Sequence, residues 1–445
     1  MMKAPNLEDH PTVRLVRQRP RPEPAPLNRD ALRDLAIDAG ADDAGVVSVN
    51  RPEIASQRGD ILALLPRART LVAFVVRMNR DPIRSSARSV ANLEFHRAGD
   101  ETNDVAHRIV RKLNELGYGA VNPAVGFPME MERFPGKTFV LSHKPIAVAA
   151  GLGVMGIHRN VIHPRFGNFV LLGTVVTDVP LEGDSAPLEF NPCLECKLCV
   201  AACPVGAISS DGAFDVSACF THNYREFAGG FIDWVDQVAS SRNARDYRAR
   251  VSDAESASMW QSLSFGANYK AAYCLAVCPA GEDVIGPFLH SCADFLARVV
   301  RPLQHKVEPI FVLPGSDAEQ HVQRRFAHKA VRRVRSGIRV GSVAAFARGL
   351  PLRFQRGRAS HVSLRVHFSF HGAEQMQVTV VIDRQSIAVE NGLSGDADLH
   401  VNADARTWCA VLNGERSLAS ALLLRRIRVR GPLRLLRQFR RCFPD

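Results

Sequence analysis

Seven of the ten cysteines fall between Cys193 and Cys278, and four of them stand in a single run. Cys193-Leu-Glu-Cys196-Lys-Leu-Cys199-Val-Ala-Ala-Cys203-Pro204 has the spacing C-x2-C-x2-C-x3-C-P of bacterial ferredoxins. Spacing that tight lets three thiolates fold around one cuboidal iron-sulfur cluster, while the fourth points away towards a neighbouring one. A structural zinc site would use two separated cysteine pairs, and a disulfide framework an oxidising compartment, so iron-sulfur chemistry is the expectation. A second half-motif, Cys274-Leu-Ala-Val-Cys278-Pro279, lies far downstream, with Cys219 stranded between. By the crossover rule Cys193, Cys196, Cys199 and Cys278 hold one 4Fe-4S cluster, and Cys203, Cys219 and Cys274 hold most of a second.

That second set is one thiolate short, because the position that would supply it is Ala271. Three explanations stay open. Cys292 or a non-cysteine ligand such as His222 completes the site; the cluster is of the 3Fe-4S type; or Cys219 and Cys274 are core thiols beside a single cluster. Cys409 and Cys442 read as incidental buried thiols. The insert between Cys219 and Cys274 carries Trp234 and Trp260 and, with Tyr273, four of the five tyrosines. It reads as an aromatic lid that keeps water from the cluster, with Tyr224, His222 and Arg225 as its polar candidates.

Gly151-Leu-Gly153-Val-Met-Gly156 matches a dinucleotide-binding fingerprint, with Asp178 about twenty residues on. Pro164 and Gly167 leave no room for the helix of a βαβ crossover, so the glycines are expected to serve a tight turn against another backbone.

The elements that must position these residues alternate in type. An arm rich in proline and charge (1–28) is expected to be disordered. Residues 29–185 mix amphipathic helices (from Arg29; from about Ala87 to Leu116, stopped by Gly117) with apolar strands (Thr70 to Met78; Phe166 to Val179), an α/β or α+β domain. A cysteine-rich unit (186–290) and a basic helical linker (291–358) follow. In 359–445 the period switches to two, in "VSLRVHFSF", "MQVTVVID" and "SIAVE", before helices close the chain.

Composition is ordinary for a globular protein, with 46% hydrophobic and 23% charged residues. No apolar run is long enough to span a membrane and no signal peptide opens the chain, so a cytoplasmic location is expected. The net charge of +12 is uneven: from Arg301 onward about 25 Lys and Arg face about 11 Asp and Glu. Without interleaved aromatic and basic residues this reads as a solvated face; nucleic acid is disfavoured, and peripheral contact of a basic helix from Leu418 to Arg441 with anionic lipid is the further reading.

Two resemblances now have residues under them. "AAGLGVMGIHRNVIHPRFGNFVLLGTVVTDVPL" (Ala149 to Leu181), followed by the ferredoxin motif and the Cys274/Cys278-Pro279 pair, resembles the epoxyqueuosine reductase and reductive dehalogenase superfamily over roughly Arg29 to Gly286. The resemblance implies a nitroreductase-like α/β domain, two iron-sulfur clusters feeding electrons to a cobalamin, and an electron-donor protein. Epoxyqueuosine reductases place a catalytic aspartate upstream of the Ala-Gly-Leu-Gly turn, whereas here no Asp or Glu occurs from Phe134 through Thr177. A proton donor would have to be another group, such as His143 or Tyr224, and queuosine synthesis with its tRNA partner becomes doubtful. Residues from about Ala359 to Asp445, through "VTVVIDRQSIAVENG", "DADLHVNADARTWCAVLNGE" and "RRIRVRGPLRLLRQF", resemble the sterol carrier protein type 2 domain, which implies an apolar tunnel for a hydrophobic ligand. The chain is thus read as an α+β multidomain iron-sulfur oxidoreductase or electron-transfer protein. The alternative is a lipid-binding or scaffolding protein whose clusters are structural.

Overall fold

The computed structural model describes residues 8, 10–18, 24, 26–126, 129–130, 139–193 and 195–444. Within the N-terminal arm, Pro11–Gln18 is helical, where disorder was expected, and buries none of its side chains. Most of the rest of the arm lies outside the described residues.

The first sheet grows from the most apolar runs in the chain. Strands β1 (Asp43–Ser48), β2 (Thr70–Arg77), β3 (Ala120–Val121) and β4 (Val170–Thr177) lie in the order β1-β2-β4-β3, antiparallel throughout. The centre of β2 is buried on both faces, which explains why it reads as continuous rather than alternating apolar sequence. Val72, Phe74 and Val76 face helices α1 (Arg29–Asp38) and α2 (Arg88–Glu115); Leu71, Ala73 and Val75 face helix α3 (His143–Ala149). Asn28 starts α1 by accepting a hydrogen bond from the Ala31 amide at 2.9 Å, and Gly117, at φ +91°, ends α2 as its composition suggested. No helix follows the three glycines after α3. Gly151 has φ +76° and Gly153 presses on the Ile162 carbonyl, so they serve the tight approach of one backbone to another.

Residues 291–358 differ from the helical linker expected. Strands β5 (Pro309–Val312) and β6 (Ala330–Arg333) pair in parallel, and Leu303, Ile310 and Val322 share one core with Cys199, Cys203 and Tyr273. That core also takes Met78, Ile83 and Phe169, so the cysteine-rich unit is fused to the first domain. The apolar run Ile310-Phe311-Val312-Leu313 is short and stands in a basic stretch with a breaker cluster, which is why it reads as linker.

The last unit is a five-stranded sheet, β7 (Ser363–His371), β8 (Met376–Asp383), β9 (Ser386–Asn391), β10 (Leu399–Asp404) and β11 (Ile427–Arg430), in the order β9-β8-β7-β10-β11. Only β7 and β10 pair in parallel. Val378, Val380 and Ile382 point inward as their alternation required. The interior is occupied by rings: Phe368 lies 5.4 Å from Phe346, 5.5 Å from Trp408 and 5.7 Å from Phe439. The stretch Leu418 to Arg441 is two short helices separated by β11 rather than one helix; Leu436 and Phe439 are buried, while Leu423 and Leu424 are exposed.

Candidate metal centre

Two short helices carry the chemistry. Helix α4 (Leu198–Ala202) begins after Lys197, whose backbone is left-handed (φ 49°, ψ 16°), and contains Cys199; Cys203 caps its end. Helix α5 (Tyr273–Ala276) begins after Ala272, also left-handed (φ 55°, ψ 27°), and contains Cys274, with Cys278 just beyond. The two helices pack against each other. The same local backbone therefore occurs twice, and the repeat aligns Cys199 with Cys274, Cys203 with Cys278, and Cys196 with Ala271. Cys219 arrives on the helix Val216–Asn223, whose N-terminus Asp215 caps by accepting from the Ala218 amide.

The thiols form two adjoining groups. Besides burial, Cys199 is pushed up by Cys274, Cys278, Cys193 and Cys196, Cys278 by Cys196, Cys193 and Cys274, and Cys219 by Cys274 and Cys203, so the groups meet at Cys199 and Cys274. Among the described residues no three His, Cys, Asp or Glu side chains converge on a site for a single ion. A cuboidal cluster sets each thiolate on a separate iron, and two neighbouring thiol groups are the donor arrangement it uses.

The surroundings fit such a group. Burial pushes Cys199, Cys274 and Cys278 up to about 12, so metal-free thiolates are disfavoured and a cationic metal core is what would stabilise them. Backbone amides face the sulfurs: Ala207 donates to Cys203 Sγ at 3.3 Å, and Leu198, Leu275 and Ala280 do so to Cys196, Cys274 and Cys278. Arg84 lies beside Cys278 and Arg88 beside Cys274, both largely buried. Arg84 Nη2 and Arg88 Nε and Nη2 find no acceptor, as expected of cations whose partner is an anionic cluster.

The remaining expected residues separate by position. Tyr224 stands beside Cys219 and Cys274 in an aromatic group with Phe220, Phe227 and Tyr269, and burial pushes its phenol up, so it remains protonated. His143 is instead a core residue: its Nδ1 meets Thr174 Oγ1 at 2.9 Å, and burial lowers it to about 4. The ring is neutral at pH 7, which gives no support to the acid role expected of it. His222 Nδ1 accepts from the Phe311 amide at 3.3 Å, and its charged neighbours are Glu308, Lys270, Lys329 and Lys306 rather than thiols. Cys292 is exposed and neighbours Cys196, in the first group. Arg225 is locked between Asp233 (2.7 Å) and Glu255 (2.8 Å), a structural cation. Cys409 and Cys442 pack in the C-terminal core.

Sequence reasoning missed Lys144 and Asn160. Lys144 is exposed, and desolvation lowers its pKa against the opposing influence of Cys274 and Cys219. Its Nζ donates to the Arg159 carbonyl at 2.6 Å and to Asn160 Oδ1 at 2.9 Å, while Asn160 Nδ2 points at Cys274 Sγ from 3.9 Å. A lysine in a stretch without carboxylates was the signal available.

Two outcomes follow from this packing. Gly167 (φ +61°) crosses Gly281 so closely that a Cβ at 167 would collide with the Ala280 carbonyl, two residues beyond Cys278. Gly167→Ala is expected to cost on the order of 2 kcal/mol or more and to loosen iron retention, read by thermal midpoint and iron content. His143, His158 and His222 are all lowered by burial to about 4. Unfolding restores an ordinary value near 6.5, so the unfolded chain binds protons first. Stability is complete above about pH 6.5 and falls as pH drops towards 4, by up to about 1.4 kcal/mol per pH unit for each ring. Urea midpoints between pH 7 and pH 5 check the slope; a flat profile contradicts it.

No family model matches the chain. Over 137 residues it is 28% identical to the epoxyqueuosine reductase of Vibrio cholerae, covering 31% of this chain and 33% of that protein. Over 128 residues it is 34% identical to that of Aliivibrio fischeri, covering 28% and 32%. Part of this chain is similar to epoxyqueuosine reductases. It spans about a third of the length of the curated relatives it matches. Among solved structures, the Streptococcus thermophilus epoxyqueuosine reductase superposes with a TM-score of 0.35 at 15% identity, covering 61% of this chain and 74% of that one. The reductive dehalogenase NpRdhA gives 0.37 at 16%, covering 67% and 36%. Among the described residues no helix is long and apolar enough to cross a membrane.

Proposed function

We propose that the chain is an iron-sulfur oxidoreductase that passes electrons between two clusters and on to an acceptor beside Lys144 and Asn160. The observation that supports this reading is the packing of α4 on α5, which sets the backbone turns of Cys199 and Cys203 against those of Cys274 and Cys278. Cys193, Cys196, Cys199 and Cys278 would ligate the first cluster; Cys203, Cys219 and Cys274 the second. Clusters supply one-electron transfer at low potential. The chain's own part is to exclude water with Phe220, Phe227 and Tyr269, to balance cluster charge with Arg84 and Arg88, and to hold a proton on the Tyr224 phenol beside the second group. A cobalamin, implied by the similarity to epoxyqueuosine reductases, would supply a reducible cobalt centre. An electron-donor protein is the partner this reading requires.

The test is a redox titration of anaerobically reconstituted protein, with and without added cobalamin, followed by absorption and paramagnetic resonance. Reversible cluster reduction supports the oxidoreductase, and a perturbed cobalt signal supports the corrin. Metal whose loss merely unfolds an otherwise redox-silent chain contradicts both. A lipid carrier is not favoured as a second reading, since aromatic rings occupy the interior of the C-terminal sheet.

A further inference from the structure

We propose that the second cluster keeps one iron free of protein thiolate and offers it to a small carboxylate, which Lys144 and Asn160 hold. The inference rests on the two-cluster reading above and deepens it.

The repeated backbone at Lys197 and Ala272 shows what is missing. Cys196 precedes the first left-handed residue, and Ala271, buried in the same core as Cys203 and Tyr273, precedes the second. The third thiolate of the second group comes from elsewhere, on Cys219. No other thiol can fill the vacancy at 271. Cys193, Cys196, Cys199 and Cys278 make up the first group, Cys292 borders it, and Cys409 and Cys442 are in another unit. Neither His158, which already meets the Asn160 amide and Asn168 Nδ2, nor His222 or His321 fills it. His222 faces Phe311 and the Glu308 cluster of charges, and His321 bonds the Cys203 backbone with its ring against Gly206.

What does face Cys219 and Cys274 is a cation without an anion. Both oxygens bonded by Lys144 Nζ are neutral amide oxygens, no carboxylate among the described residues pairs with it, and its ammonium has a third N–H to give. An iron lacking a thiolate takes an oxygen donor from solution; beside an ammonium and a carboxamide N–H, an anionic carboxylate is the donor that satisfies all three. Binding is ligand exchange: a carboxylate oxygen replaces water on iron and no electron moves.

The probe is glycolate labelled with 13C at its carboxylate, added to the reconstituted full chain after reduction. Expected are a 13C hyperfine coupling on one cluster, and conversion of that same cluster to a three-iron form under mild ferricyanide, with release of one ferrous ion per chain. Ala271→Cys is expected to abolish both by supplying the missing thiolate. Lys144→Ala is expected to raise the half-saturating glycolate concentration by about tenfold with both clusters retained. If Ala271→Cys does not fold, the wild-type coupling and the Lys144→Ala shift decide alone. Two four-iron clusters that resist iron loss and show no 13C coupling overturn this inference and leave the two-cluster reading standing. A second cluster that is three-iron from the outset and takes up no iron also overturns it. A single cluster per chain overturns the two-cluster reading itself, and the inference with it.

Discussion

Cys278→Ser is expected to release about half of the iron, from roughly eight to roughly four atoms per chain, with labile sulfide falling in step. Cys278 would be the one ligand of its group that does not come from the compact run at 193–203, and its turn is held by the crossing of Gly167 over Gly281 and by the Glu282 and Asp283 amides, which donate to the Pro164 and Arg165 carbonyls. Serine keeps the shape but offers iron a much poorer ligand. Because α4 and α5 pack on each other, the group around Cys203, Cys219 and Cys274 retains its scaffold and its metal. Cys292→Ser and Cys409→Ser, one on the rim of the first group and the other in the C-terminal core, serve as controls and should leave iron content unchanged. Equal iron in Cys278→Ser and the parent chain would show that this thiol is no ligand.

The second large effect is on stability. Arg225 is buried and bonds Asp233 and Glu255 while its guanidinium lies 5.2 Å from the Phe311 ring centre. This ties the aromatic insert to strand β5. Arg225→Ala leaves Asp233 buried without its cation and Glu255 with only the longer contact to Arg332 (3.7 Å), a change that costs about 3 kcal/mol. Arg225→Lys keeps the charge but cannot bridge both carboxylates in the same plane, so it should recover only part of the loss. Urea unfolding followed by tryptophan fluorescence reads both, since Trp234 and Trp260 sit in the insert. A shift below about 1 kcal/mol for Arg225→Ala would mean that the insert is not held through this cation.

The cysteine spacing made the first ligand group legible because tight local spacing survives any tertiary arrangement. Cys219 and Cys274 could be named but not placed, since their meeting depends on two helices separated by the whole insert. Ala271 was legible as a gap, and the left-handed residues at 197 and 272 give that gap a structural counterpart. Lys144, Arg84 and Arg88 were not legible: single basic residues on helices look like solvated surface until the fold turns them towards thiols. His143 failed in the other direction. A histidine at the start of α3 has chemistry by type, but Thr174 across the sheet makes it part of the core, a contact no local pattern reveals. In the last unit, alternation identified the inward faces of β7 and β8, whereas filling by Phe346, Phe368 and Trp408 depends on how three elements meet.

The clamp between the units also lies at the site. Gln355, at the edge of the C-terminal unit, donates to Asp215 Oδ2 at 3.0 Å, and Asp215 is the cap of the helix bearing Cys219. The helix Val343–Arg353 packs on the same Cys219-bearing helix, so the C-terminal unit is joined to the second ligand group by packing as well as by Gln355.

The central claim is that two clusters sit side by side in this chain. Paramagnetic resonance of the fully reduced, reconstituted protein tests it most directly. Two adjacent paramagnets should integrate to about two spins per chain and show a broadened, magnetically coupled spectrum that simplifies to one uncoupled signal in Cys278→Ser. A simple signal integrating to one spin in the parent chain, unchanged in shape by loss of any of Cys203, Cys219 or Cys274, would contradict the account.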